Sequence, residues 1–172
     1  MRELETERLL LRRLRPDDGE KIYRGWATDG EVTRYLTWEP HESIDTTQAL
    51  LERWLAAYAD PSVRRYGIER KEDGVLMGMI DVVALREGCP ELGYCLGRAW
   101  WNRGYMTEAV KTLTEELFYE GNPSVFIRAA AENIGSNRVI QKAGYSFLYS
   151  EPPEERLKKP WITSINVYRR DK

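Results

Sequence analysis

The apolar positions of this chain recur at two periods, and the switches between them outline its elements. Leu9, Leu10, Leu11 and Leu14 stand among charged neighbours in residues 7–14 and predict a first strand. Pro16, Asp17 and Asp18 then supply a helix start, with proline and acids in the first turn, for a helix reaching Ala27. Residues 28–45 read as a loop. A second helix is expected over 46–59, with Leu50, Leu51, Trp54, Leu55 and Tyr58 on one side and Asp60 and Pro61 as its stop. Strands at 65–69, 75–84 and 91–96 form a meander, joined by turns at 72–74 and 87–90. Residues 107–119 predict an amphipathic helix: Val110, Leu113 and Leu117 share a face, and Glu108, Lys111 and Glu115 lie away from it. A strand at 125–130 follows, then a helix at 134–143 closed by Gly144. Final strands at 146–150 and 162–168 are joined by a charged, proline-containing loop. The order is β-α-α-β-β-β-α-β-α-β-β, a mixed α/β chain forming a single domain over 1–172 around one sheet.

Charge and composition narrow the function classes. The 26 basic and 28 acidic residues leave a net charge of -2, which gives no electrostatic case for nucleic acid or an anionic membrane surface. No apolar run reaches the roughly 18 residues of a membrane span. The charged start is unlike a signal peptide. Cys89 and Cys95 are too few and too close for a disulfide framework or a zinc site, and a lone His41 does not make a metal centre. The expectation is a cytoplasmic protein with reduced thiols, no metal, and a monomeric or homodimeric state.

Two segments carry candidate chemistry. Residues 97–109 contain Gly97, Trp100, Trp101, Asn102, Arg103, Gly104, Tyr105, Met106 and Thr107 between a strand and a strong helix. The first N–H groups of a helix lack internal partners, and its dipole favours negative charge there, so this turn can hold an anion. Gly104 permits close backbone approach, and Arg103 adds a cation. A strand-to-helix turn with no ligand explains the same residues. Residues 132–145 repeat the arrangement, with Asn133 as N-cap and Ser136 three positions on. Capping alone accounts for both, and a ligand at the strand end would also face them.

Together these segments resemble the GNAT superfamily of N-acetyltransferases, and most closely its ribosomal-protein N-terminal (RimJ/RimL-like) branch. The resemblance begins at residues 6–12, continues through Glu91, Leu92, Gly93 and Tyr94, takes in 101–109 and Glu132, Asn133 and Ser136, and closes on 142–145. It implies a mostly antiparallel sheet of about seven strands, splayed in the middle, with about four helices. It implies acetyl-CoA as donor, its pyrophosphate on the backbone of Asn102, Arg103, Gly104, Tyr105, Met106 and Thr107. The pantetheine would run strand-like beside Cys95, Leu96 and Gly97. Asn133 would contact it, with Ser136 near the thioester sulfur. Trp101 and Met106 depart from the family's Gln/Arg-x-x-Gly-x-Gly/Ala pattern.

Attack on a thioester requires a neutral amine, and amines of pKa about 8 (α-amino) to 10.4 (lysine) need a base. Glu91 is the expected base, with Asp81 and Glu132 as alternatives and a solvated strand-end charge as the plain reading of Glu91. The family's usual acid, a tyrosine, aligns with Ile140, which cannot donate. Ser136 is the expected substitute, ahead of Tyr145. A backbone N–H near Leu96 would receive the oxyanion. Trp38 is a cleft wall or a packing residue, and His41 an exposed loop residue. The acceptor is a protein N-terminal amine or a small amine. Glu39, Glu42 and Asp45 hint at a cationic one, and a non-catalytic acyl-CoA-binding domain is the reading from another class.

Overall fold

The structure, a computed structural model, describes residues 1–154 and 157–172; Glu155 and Arg156, in the charged loop before the last strand, lie outside the described residues. Among the described residues, eight strands run in the order β1-β2-β3-β4-β5-β6-β8-β7. They are β1 (Leu4–Glu5), β2 (Leu9–Arg12), β3 (Arg65–Arg70), β4 (Leu76–Arg86), β5 (Cys89–Leu96), β6 (Ser124–Ala130), β7 (Ser146–Glu151) and β8 (Ile165–Asp171). The helices are α1 (Gly19–Ile22), α2 (Gly30–Thr33), α3 (Ile44–Ala57), α4 (Tyr105–Tyr119) and α5 (Ile134–Lys142). None is long and apolar enough to cross a membrane. The chain divides into two compact units, Met1–Asp81 with Tyr94–Arg103, and Val82–Gly93 with Gly104–Lys172.

In the first unit β1, β2, β3 and the start of β4 pair antiparallel. Ile22, Trp26, Leu51, Leu76, Met79 and Cys95 meet in its core, with Trp38, Trp54 and Tyr58 packed against them. Each fully buried leucine or isoleucine there contributes about 2 kcal/mol. The expected first helix is three short pieces: a 3-10 turn at Pro16–Asp18, α1, and a π turn at Tyr23–Ala27 that buries Trp26. The expected loop 28–45 contains α2, because Asp29 accepts a hydrogen bond from the Glu31 N–H at 2.9 Å and caps a turn whose Val32 and Thr33 are buried.

Arg12 organises this unit. It is 1% exposed, and its two terminal nitrogens donate to the Asp18 carboxylate at 2.7 and 3.0 Å. Its Nε donates to Glu69 on β3, and Asp18 also accepts from the Arg15 N–H at 2.8 Å and from Lys21 at 3.0 Å. A single guanidinium thus ties β2, β3 and the first helical turn. The pairing is bidentate, the geometry in which arginine is strongest.

In the second unit β5 and β6 run parallel, pairing Glu91 with Phe126 and Leu92 with Ile127. Parallel neighbours need a crossover, and α4 supplies it. Its Val110, Leu113 and Leu117 are buried as the periodicity requires. β8 then enters between β6 and β7, with Ser124 opposite Asp171 and Ala130 opposite Ile165. The last strand therefore lies three residues later than the sequence pattern suggests, since its register is set by β6. Asn137 of α5 locks this unit: its Nδ2 donates to the carbonyls of Ala130 and Asn133 (2.9 and 2.7 Å), and its Oδ1 accepts from Asn166 and Tyr168 (3.0 and 2.7 Å).

Burial works to raise the Asp18 carboxyl, but the Arg12 and Lys21 hydrogen bonds outweigh it and hold the group below the usual carboxylate range. A depressed carboxyl stabilises the fold above its unfolded pKa and loses that contribution as pH falls through its folded pKa. Asp18→Asn is therefore expected to cost about 3 kcal/mol at neutral pH, because buried Arg12 loses its bidentate carboxylate and keeps only that of Glu69. The deficit relative to wild type should shrink at strongly acidic pH, as urea unfolding at both pH values would measure.

Candidate functional site

The turn between β5 and α4 is held from several sides within the first unit. Gly97 donates its N–H to the Met77 carbonyl at 2.8 Å, and a Cβ on it would meet the Gly25 carbonyl at 2.7 Å. Because Gly97 pairs toward β4, strand alternation turns the Leu96 N–H and C=O the other way. The Trp101 indole N–H donates to that Leu96 carbonyl at 2.7 Å. The tryptophan that departs from the family pattern is thus the residue that closes the turn onto the strand end. Arg98 pairs with Asp29 at 3.0 Å, and Arg8 donates to the Arg103 carbonyl at 3.1 Å. The Trp100 ring is approached by the guanidinium groups of Arg70 (4.5 Å) and Arg103 (5.7 Å). Asn102 at φ 60° and Gly104 at φ 82° take left-handed backbone, which reverses the chain into α4. The helix starts at Tyr105, two residues before its expected start, because Tyr105 and Met106 are buried apolar positions. Its first-turn N–H groups are not used by the helix itself.

At the start of α5, Asn133 Oδ1 accepts from the Ser136 N–H at 3.1 Å, the cap that the spacing anticipates. Asn133 Nδ2 has no hydrogen bond among the described residues and is open to a ligand acceptor. The oxygen serves the helix while the nitrogen remains available, so capping and ligand contact are compatible in one side chain.

The carboxylates divide by their partners. Glu91 is 4% exposed and lies between two arginines: Arg86 Nε donates to one oxygen at 2.9 Å and Arg128 Nε to the other at 2.7 Å. Both arginines also bind Glu151, and Arg128 reaches Glu154 at 3.0 Å. Glu91 is therefore no solvated strand-end charge, and both oxygens it would use as a base are occupied. Glu132 accepts from the N–H and hydroxyl of Thr163, and these bonds hold its carboxyl below the usual range, which weakens it as a base. Its second oxygen is buried without a hydrogen bond among the described residues. Asp81 is 8% exposed, and burial pushes its carboxyl up against the opposing pull of Arg65.

Other expected residues take structural places. Tyr145 is buried and its hydroxyl meets Thr114 at 2.6 Å; burial raises it further from donating a proton. Ile140 is fully buried. Trp38 packs on the first unit's core and against the His41 ring at 5.3 Å. His41 is not an exposed loop residue: it is half-buried, its Nδ1 meets the Thr47 hydroxyl at 2.7 Å, and burial lowers its pKa. The acid at Asp45 stands in the first turn of α3, where the helix dipole accounts for it. Cys89 and Cys95 are free and buried. Sequence reading missed the arginine partners of Glu91: Arg128 lies far off on β6, and Arg86, though five residues away, meets Glu91 only through the register of the β4–β5 turn.

Comparison with known proteins gives a consistent assignment. A family model described as an acetyltransferase (GNAT) domain matches residues 8–146. The chain is 32% identical over 145 residues to the uncharacterized N-acetyltransferase YoaA of Bacillus subtilis, covering 83% of this chain and 81% of that protein. It is 26% identical over 148 residues to the uncharacterized N-acetyltransferase p20 of Bacillus licheniformis, covering 84% and 83%. Among solved structures, RimL, a ribosomal L7/L12 alpha-N-protein acetyltransferase in complex with coenzyme A, superposes with a TM-score of 0.86 at 16% identity over 99% of this chain and 98% of that one. Microcin C7 self immunity acetyltransferase MccE, in complex with acetyl-CoA and AMP, gives 0.86 at 16% identity over 97% and 94%. At such identities these two carry the fold alone.

The two arginines around Glu91 define one expected outcome. Glu91→Gln removes the charge that both guanidinium groups face, and should destabilise the protein by about 3 kcal/mol in chemical denaturation. A variant as stable as wild type would mean that Glu151 and Glu154 alone suffice for both arginines.

Proposed function

This chain belongs to the GNAT acetyltransferase family and is an acetyl-CoA-dependent N-acetyltransferase, and from that premise we propose that its acceptor is the α-amino group of a protein or peptide N-terminus. The observation that carries this reading is the neutralisation of its inward acids. Asp81 faces Arg65, and Glu91 faces Arg86 and Arg128, so neither adds uncompensated negative charge to draw in a polycation. An α-amine, with a pKa near 8, also needs less help to become neutral than a lysine-like amine near 10.4.

In this proposal the backbone from Asn102 to Thr107 takes the pyrophosphate, with Arg103 adding charge. Cys95, Leu96 and Gly97 accompany the pantetheine, and Asn133 Nδ2 donates to one of its carbonyls. The outward N–H of Leu96 is the oxyanion donor. The neutral amine attacks the thioester carbonyl, a C–N bond forms, the C–S bond breaks, and the thiolate leaves. Ser136 donates a hydrogen bond to the departing sulfur. Glu91 is not the base in this proposal, since both its oxygens accept from arginines. Trp38 stays an acceptor-side residue only through its packing near His41. Holding the reactants together supplies much of the rate, with effective molarities on the order of 10⁵ M or more. A small amine (amino acid, polyamine or aminoglycoside) is the competing acceptor, which the acids Glu39 and Glu42 ahead of α3 would favour if it is cationic.

Gly104→Asp should abolish acetyl-CoA binding in calorimetric titration, since it puts a Cβ at φ 82° and a negative charge beside the pyrophosphate. Normal binding by that variant would remove the phosphate assignment. For the acceptor, peptides with free N-termini should be acetylated with kcat/KM about tenfold or more above polyamines, aminoglycosides and free amino acids, a difference of about 1.4 kcal/mol. Mass spectrometry should locate the acetyl group on the α-amine and find Nα-blocked peptides inert. Preference for any of the small amines would overturn the peptide acceptor.

A further inference from the structure

Asp81 is a buried carboxylate with one oxygen still open. Asp18 and Glu91, the other buried acids described above, have both oxygens engaged. At Asp81, Arg65 donates to Oδ2 alone, from Nε at 2.9 Å and from Nη2 at 2.7 Å. Oδ1 has no hydrogen-bond partner among the described residues. Arg65 is itself held in place. Its guanidinium lies over the Trp54 ring at 5.3 Å, and its carbonyl accepts from the Tyr58 hydroxyl at 2.8 Å. That hydroxyl in turn accepts from the Leu14 N–H at 3.0 Å. The Oδ2 side of Asp81 is thus held by a chain of contacts running back to the core.

Cys95 is the neighbour that relates this carboxylate to the acetyl group. Burial, and then the charge of Asp81, push its thiol up to about 12, so it stays protonated and leaves Asp81 without a competing anion. Cys95 directly precedes Leu96, whose N–H is the oxyanion donor in the proposal above. Among the described residues, the charged and titratable groups that interact with Asp81 are Arg65 from β3, Cys95 from β5 and Tyr58 from α3.

We propose that Asp81 is a catalytic residue, its Oδ1 accepting the proton of the incoming ammonium, with Arg65 a positioning residue that holds Oδ2. The proposal rests on the acetyl-transfer reading, though not on which amine is the acceptor. One N–H proton passes to Oδ1, and the neutral nitrogen forms the C–N bond. As the C–S bond breaks, the second nitrogen proton goes to the thiolate, giving free CoA thiol, and Asp81 then releases its proton to water. Burial favours this role, because a carboxylate raised toward the working pH is a better base than an exposed one. Arg65 opposes that rise through its charge and its hydrogen bonds to Oδ2.

The test is steady-state kinetics of the full chain on its best acceptor, over about pH 5.5 to 9, beside acetyl-CoA titration of each variant. Asp81→Asn should lower kcat about 100-fold while acetyl-CoA affinity stays within about twofold. Asp81→Glu should recover part of that loss. Arg65→Gln keeps the carboxylate and serves where Asp81→Asn fails to fold. With Arg65 gone, burial acts unopposed, and the acidic limb of the kcat/KM profile should move up by about one pH unit. An ion pair of purely structural value would change stability and leave that limb in place. Folded Asp81→Asn with near-wild-type kcat, or an unmoved limb in Arg65→Gln, overturns the proposal. A wild-type protein that prefers a small amine overturns the acceptor reading alone, and the same variants are then measured on that amine. A wild type inert toward every amine overturns both.

Discussion

Taking a carboxylate out of water costs several kcal/mol unless a cation accompanies it and the remaining lone pairs are satisfied. This constraint shapes both units of the chain. Asp18 enters the interior against Arg12, Asp81 against Arg65, and Glu91 against Arg86 and Arg128. Each pair joins different elements: a strand to a helical turn, a strand to its neighbour, and four strands around one glutamate. Guanidinium is suited to this work because its planar fork offers several donors in fixed directions and stays charged on burial. The same pairings determine which acids can do chemistry. A carboxylate with both oxygens bound is a strut, and one with an oxygen left over can still take a proton.

The turn before α4 illustrates how a departure from a family pattern is absorbed. Backbone N–H groups at a helix start bind anions whatever the side chains are, provided the chain can approach closely. Gly104 supplies that approach by its left-handed backbone. What varies is how the turn is braced. Here Trp101 braces it through an indole N–H to the Leu96 carbonyl, while Arg8, Arg70 and Asp29 hold neighbouring residues. A bulky aromatic at that position therefore does not argue against an anion site. The catalytic side differs in kind, since a tyrosine replaced by a buried Ile140 leaves no acid there, and Tyr145 is sealed against Thr114. A thiolate leaving group tolerates that loss better than an amine would, because its conjugate acid is much stronger.

Much of the architecture was legible in the order of residues. The α4 helix, the cap at Asn133, the meander of β3, β4 and β5, and the family resemblance all follow from periodicity, capping residues and motif spacing, which are local properties of the chain. The misses have a common cause. α2 is only one turn long, too short for a periodic signal, and its formation depends on the Asp29 cap and on burial of Val32. The last strand is displaced because its partner β6 chooses its register. His41 looked exposed because nothing nearby in sequence announces Thr47 and Trp38 as its contacts.

Sequence alone determined the fold class, the family and the donor, because backbone-binding motifs and hydrophobic periods are written in consecutive residues. Tertiary structure alone decided how each carboxylate is partnered. Glu91, Asp81 and Glu132 are alike as letters in a chain. They differ only after folding brings two arginines to the first, one arginine to one oxygen of the second, and Thr163 to the third. The basicity of a carboxylate is set by the charges and hydrogen-bond donors within a few ångströms of it, together with its burial. In this protein those neighbours come almost entirely from other strands.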